Sequence, residues 1–192
     1  MSNSICPECG APIPAGGACL DHFHALLVLE GTFPGAPGSI LHFYAVACYN
    51  LQHPDSVGLT AEALGGLRRN LADALEGKAS LVELRRRTRL ATDGPRRVRR
   101  RSGDPPVDWH RGPWPVNVTD VLTATAATYP DLVEAWAAAY ALRSIPWPAM
   151  LAMLGHCYDG DVGRLHEGEA MVVEDLIVLG LALNILIRRA FQ

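Results

Sequence analysis

Apolar positions recur every three or four residues through most of this chain, a period that predicts helices. From Leu20 to Glu30 the stripe is Phe23, Leu26, Leu27 and Glu30, so a carboxylate closes an otherwise apolar face. That carboxylate either reaches solvent from the last turn or points inward at the next helix. Residues 31–38 hold three Gly and two Pro and read as a loop. Ser39 is placed to cap a second helix, which runs to about Gln52 and stops before Pro54. One of its stripes, Ile40, Phe43, Ala47 and Leu51, is core-like. The other, His42, Val46, Tyr49 and His53, aligns two imidazoles and a phenol on a face that is otherwise apolar. Burying such groups without partners is costly, so that face is either a satisfied hydrogen-bond network or a functional pocket.

Further on, Thr60 precedes a stripe of Leu64, Leu67, Leu71 and Leu75, and Gly77 ends that helix. Ser80 opens a shorter helix that Asp93-Gly94-Pro95 breaks. Asn117 or Thr119 can cap a helix over 118–127, and Pro130 starts another that runs to Arg143. Between them, Trp109 to Pro115 is a rigid aromatic loop that either lids the core or lines a pocket with His110. Beyond Pro146 and Pro148 the pattern predicts helices over 149–157 and 167–189. The second is apolar nearly all round from Leu176 to Ile187, which calls for a central core position or a homodimer interface. Asn184 interrupts that run, which is shorter than the roughly 20 residues of a membrane span. No strand-like alternation persists, and no phosphate loop, GxSxG or dinucleotide fingerprint occurs. The expected fold is all-α, an irregular bundle of roughly six to eight helices.

Composition narrows the class. At 192 residues, with 49% hydrophobic and 19% charged residues, the chain is globular and long enough for one sizeable core. The expected organisation is a zinc knuckle and first helix over 1–30, a helical core over 31–145, and a C-terminal helical extension over 146–192. Met1 to Ile5 carries no basic leader, and five cysteines, an odd number, fit a reducing compartment, so a cytoplasmic protein is expected. Charge is uneven. Nine arginines stand against Asp93 between Arg85 and Arg101, a net +8 that leaves −11 on the rest of a −3 chain. The stretch over 94–103, with Arg96 to Arg101, reads as a solvated basic loop. Its functional alternative is contact with nucleic acid or phosphate, although few aromatic residues are interleaved for stacking on bases.

The chemistry concentrates at the start. Four of the five cysteines and four of the seven histidines fall between Cys6 and Pro54. Cys6-Pro-Glu-Cys9-Gly10 has the form of a zinc knuckle: Pro7 fixes a backbone angle, and Gly10 permits the positive φ that turns amides towards sulfur. Cys19 and His22 follow at i, i+3 on the first turn of the predicted helix. Cys6, Cys9, Cys19 and His22 therefore make a Cys3His set suited to tetrahedral Zn²⁺, with His24 the poorer fourth ligand.

The CPxCGA opening, a Cys at the head of a helix and the H-x6-Y-x2-QHP pattern resemble a bacterial family of unknown function, common in high-GC Gram-positive species. The resemblance covers roughly Cys6 to Arg143, with a further match at 118–121 and Trp136. The family pattern often carries an acidic residue where this chain has Ala47. The resemblance implies metal binding and adds no reaction. Two functions stay open: a zinc-stabilised binding or scaffold module with a protein or nucleic-acid partner, and a small enzyme whose catalytic pocket uses His42, Tyr49 and His53, with Glu30 and His24 nearby.

Overall fold

The computed structural model describes residues 4–95 and 97–143. The chain divides into two units, Met1–Tyr140 and Ala141–Gln192, and the candidate site lies wholly in the first. The helices expected over 149–157 and 167–189, and the homodimer surface on the latter, fall outside the described residues.

Among the described residues the fold is mostly α, with seven helices and one small hairpin. The hairpin pairs β1 (Ser4–Ile5) with β2 (Pro12–Ile13), Ser4 opposite Ile13 and Ile5 opposite Pro12. Strands of two residues are too short to show alternation in the sequence. What makes them is the knuckle turn between, where Cys6 N–H donates to Ala11 (2.8 Å) and Gly10 N–H to Cys6 (2.9 Å).

Helix α1 (Cys19–Gly31) begins on the third cysteine. After the glycine and proline loop, α2 (Ile40–Gln52) starts at Ser39, whose hydroxyl accepts from Leu41 N–H at 3.2 Å. Pro54 cannot extend α2. It opens instead a separate turn, α3 (Pro54–Val57), which the sequence reading missed. Helices α4 (Ala61–Leu75) and α5 (Leu81–Asp93) are capped by Thr60 and Ser80, the residues expected to do so. Helix α6 (Val118–Val121) takes Asn117 as its cap. It stops six residues short of expectation, because Thr125 and Thr128 exchange backbone and hydroxyl hydrogen bonds and turn the chain into α7 (Tyr129–Arg143). Threonine hydroxyls that bond nearby backbone offer the chain an alternative to helix, and here they win.

Helix α2 is the axis of the core. Tyr44, Ala45, Ala47, Cys48, Tyr49, Leu51 and Gln52 are all buried, so most of its circumference is covered. Helix α4 packs on it, α5 packs on α4, and α6 packs on α1. Leu26, Leu64, Leu71, Leu84 and Trp136 are fully buried among them. Substituting such a leucine by alanine typically costs about 2–5 kcal/mol.

The basic segment keeps Arg97, Arg99 and Arg101 exposed, but its backbone is held in a way the sequence did not indicate. Leu59 and Arg99 form an antiparallel bridge, with Thr60 N–H donating to Val98 (2.9 Å) and Arg100 N–H to Gly58 (2.8 Å). The Arg100 guanidinium reaches the Pro54 carbonyl at 3.2 Å. Backbone pairing thus fastens this stretch to the α3–α4 junction, whereas like charge alone would leave it in solvent.

Candidate metal centre

Three thiols and one imidazole converge where the knuckle, α1 and the α2–α3 joint meet. The ligand atoms of Cys6, Cys9, Cys19 and His53 all lie within 4.8 Å of one another. Cys9 Sγ is 3.5 Å from Cys19 Sγ, and Cys19 Sγ is 3.2 Å from His53 Nε2. Metal bonds of about 2.3 Å to sulfur and 2.0–2.1 Å to nitrogen put tetrahedral neighbours about 3.5–3.8 Å apart. The four donors therefore stand close to the spacing one cation requires. All four residues are 7% exposed or less.

Each ligand has a local reason for its place. Gly10 has φ +83°, which lets the chain double back after Cys9, and a Cβ there would come within 2.8 Å of Pro113 Cα. The returning chain points Ala11 N–H at Cys9 Sγ from 3.4 Å, the kind of donor thiolates use. Trp114 N–H donates to the Cys9 carbonyl at 3.1 Å, so the aromatic loop closes over the knuckle. Trp114 is itself buried and stacks on Tyr140 with ring centroids 5.0 Å apart, while Trp109 donates to the Leu51 carbonyl.

His53 Nδ1–H donates to the Tyr49 carbonyl at 2.7 Å. A carbonyl only accepts, so the proton is on Nδ1 and the Nε2 lone pair faces the sulfurs. The hydrogen bond from Cys19 is the largest influence on Cys9 and draws its pKa down to about 4, against burial, with the Ala11 N–H assisting. Cys19, as the donor, is pushed up by that bond and by burial. The cluster already favours one thiolate, and a cation would favour the others. Cys48 is buried elsewhere, and burial alone raises its thiol.

Glu8, a spacer residue of the knuckle, performs a task that spacing did not disclose. Its buried carboxylate accepts from Asp55 N–H (2.7 Å), Ser56 N–H (3.3 Å) and the Ser56 hydroxyl. It thereby holds the first turn of α3, immediately after His53. The same turn that carries Cys6 and Cys9 thus fixes the position of the histidine 34 residues beyond Cys19.

Of the sequence-predicted ligands, Cys6, Cys9 and Cys19 come together, and His22 does not join them. Its Nε2–H donates to the Pro12 carbonyl at 3.0 Å, outside the cluster, and His53 stands in the fourth position. His24 is exposed. Of the expected pocket residues, Tyr49 and His53 stay together and His42 separates from them. Tyr49 is buried between Phe23 (centroids 4.0 Å, planes 8° apart) and His53 (4.1 Å, 22°). His42 lies at the far end of the same stripe, where its Nδ1 meets Glu30 Oε2 at 2.8 Å. Glu30 points inward, as one of its two readings had it.

The result is a mostly helical protein with a buried Cys3His group able to hold a metal ion. The chain belongs to DUF5946, a family of unknown function whose profile matches residues 4–141 and so takes in all four donors. No curated protein and no solved structure matches the chain.

Proposed function

We propose that Cys6, Cys9, Cys19 and His53 bind one Zn²⁺ as a closed structural site, and that the protein works as a binding or scaffold module. The observation that supports this most is enclosure. A metal that activates water needs an open coordination position, and here four buried donors surround the cation's place with the Trp114 loop packed over it. Three thiolates and one imidazole form a soft, tetrahedral donor set that suits zinc. In this role zinc ties the hairpin to α1 and to the α2–α3 joint, and adds to the hydrogen bonds of Glu8 with α3 and of His22 with Pro12.

Elemental analysis of the purified chain should find one zinc, and Co²⁺ exchanged into the site should give the intense visible bands of a tetrahedral thiolate complex. A five- or six-coordinate cobalt spectrum would mean an open site and would favour catalysis at the metal. For the partner, Arg89, Arg99 and Arg101 are exposed and have no ion-pair partner among the described residues. They are the contact offered to a phosphate-bearing ligand. Binding to single-stranded RNA or duplex DNA should then fall steeply with salt, and replacing the three by Ser should remove most of it. Salt-insensitive binding, or none, leaves a protein as the partner.

A further inference from the structure

Away from the cysteines, the end of α1, the first turn of α2 and the start of α7 bring Glu30, His42 and Tyr129 together. Glu30 and Tyr129 are both buried, and they satisfy each other. Burial, then the charge of Glu30 and its hydrogen bond, push the Tyr129 phenol up, so the hydroxyl donates to the carboxylate. The same carboxylate accepts from His42 Nδ1 at 2.8 Å through Oε2. A carboxylate offers no proton, so Nδ1 carries the hydrogen and the lone pair is on Nε2, across the ring. The His42 side chain is 42% exposed, whereas the Glu30 side chain is 2% exposed. An imidazole of fixed tautomer thus stands at the surface, held from behind by a buried acid.

A half-exposed imidazole nitrogen with its lone pair free is a nucleophile, and the cysteine site makes no use of it. Its surroundings favour an electrophile that brings negative charge. His42 is the third residue of α2, a helix of 13 residues. Side chains there lean towards the helix N-terminus, where the aligned peptide dipoles attract anions. Arg85 of α5 reaches the same end of α2, donating to the Gly38 carbonyl just ahead of the Ser39 cap. That arginine is exposed, and a guanidinium pairs well with phosphoryl oxygens.

We propose that His42 accepts a phosphoryl group on Nε2 from a donor of the phosphoramidate or acyl phosphate class, with Glu30 as its positioning residue. With phosphoramidate, the Nε2 lone pair attacks phosphorus while the P–N bond breaks and its electron pair leaves on ammonia. The donor's ammonium nitrogen already carries three hydrogens, so no further proton is needed. The ring keeps its Nδ1 hydrogen and becomes cationic, and the Glu30 carboxylate faces that new charge. Tyr129 in turn fixes the carboxylate. This activity is independent of the metal site, and it would add a covalent, reversible mark to a binding module.

The test treats the full-length, zinc-loaded protein with phosphoramidate at neutral pH and follows it by phosphorus NMR and by mass spectrometry without acid. One base-stable, acid-labile phosphoryl group per chain should form on His42. His24 is the internal control: it is exposed on α1, and it should react at least about tenfold more slowly for want of an orienting acid. Coupling of phosphorus to the ring protons should show the Nε2 isomer alone. His42→Ala should remove the label, and Arg85→Ala should slow its formation by a few-fold. Glu30→Gln should slow it by at least about tenfold and let the Nδ1 isomer appear, since the ring is no longer held in one tautomer. A carboxylate buried only for packing would not change the isomer. Tyr129→Phe should have a smaller effect of the same kind. Zinc content and the melting curve show whether each variant is folded. The proposal is overturned if wild-type His42 stays unlabelled, reacts no faster than His24 or carries the group on Nδ1, results that need no variant.

Discussion

The two ends of the α1–α2 pair carry the same kind of contact and have opposite surroundings. At one end Cys19 meets His53, and at the other Glu30 meets His42. Between them Phe23 stacks on Tyr49. Each step of α1 towards its C-terminus matches an equal step of α2 towards its N-terminus, so one antiparallel register generates all three contacts. Yet His53 is fully buried whereas His42 is half open. Helix geometry alone cannot make that difference, because it is common to both ends. The closure comes from chain outside the two helices. At the His53 end the knuckle turn supplies two thiols and the Glu8 carboxylate, and the loop around Pro113 and Trp114 packs over Gly10 and the Cys9 carbonyl. A helical ladder becomes a closed site only where other segments cover its end.

Removing a ligand from the closed end should have the largest effect. Cys9 is the best-supported thiolate of the cluster, and in small metal sites the binding free energy is folding free energy. Cys9→Ser should lose metal by elemental analysis, together with most of the soluble yield and the cooperative melt. A variant that keeps its metal and its melting curve would show that the closed end owes nothing to a cation.

A gentler change sharpens the same comparison by setting two histidines against each other. His53→Ala removes a donor but leaves three thiols, so metal should still bind, more weakly by over the roughly 10–100-fold typical of outer partners. His22→Ala should leave zinc content and affinity unchanged, because its ring is spent on the Pro12 carbonyl. Competition with a chelator of known affinity measures both. The reverse ranking would return the fourth position to His22.

That pair of histidines also shows how much could be read from residues alone. The knuckle was legible, since Pro7 and Gly10 around two cysteines describe a tight turn whatever the rest of the chain does. Helices α2, α4 and α5 were legible for the same reason: caps and leucine spacing are local. The stripe His42, Val46, Tyr49, His53 was also visible, but its partner was not. Cys19, Phe23, Leu26 and Glu30 repeat the same intervals on α1, and mirrored spacing on two helices joined by a short loop was the available signal. His22 looked right because i, i+3 proximity is certain, whereas the approach of His53 depends on tertiary packing. Glu8 and the backbone bridge of the arginine segment had no local signature at all.

Next in size is the clamp that keeps His53 in reach. Glu8→Ala would leave the N–H groups of Asp55 and Ser56 without their acceptor, and such orphaned donors cost about 1–3 kcal/mol each when buried. These two are partly buried, so a total near the lower end of that range is expected, measured by chemical denaturation of the zinc-loaded protein. Metal affinity should fall alongside, by less than in His53→Ala. Unchanged stability with unchanged affinity would mean that α3 holds its position without the knuckle.

The smallest effect is expected on the outside of the same turn. Asp55 accepts from the Arg111 guanidinium at 2.6 and 3.1 Å, and Arg100 comes within 3.4 Å. The Arg111 bond, against a smaller cost of burial, holds the Asp55 carboxyl below its usual range. A carboxylate depressed by folding contributes stability that is fully present above its unfolded pKa and is lost as pH falls through the folded one. Asp55 is 41% exposed, so solvent screening keeps the contribution below about 1 kcal/mol. Asp55→Asn should therefore melt slightly earlier than wild type at neutral pH. The gap should narrow as the solution is acidified below the ordinary carboxylate range, and should also shrink with added salt. At the half-open end the Glu30 carboxylate that meets His42 is buried at 2% exposure, where salt screens less, so Glu30→Gln should show a weaker salt dependence. If both variants respond to salt alike, the exposed brace on α3 is not part of what distinguishes the closed end from the open one.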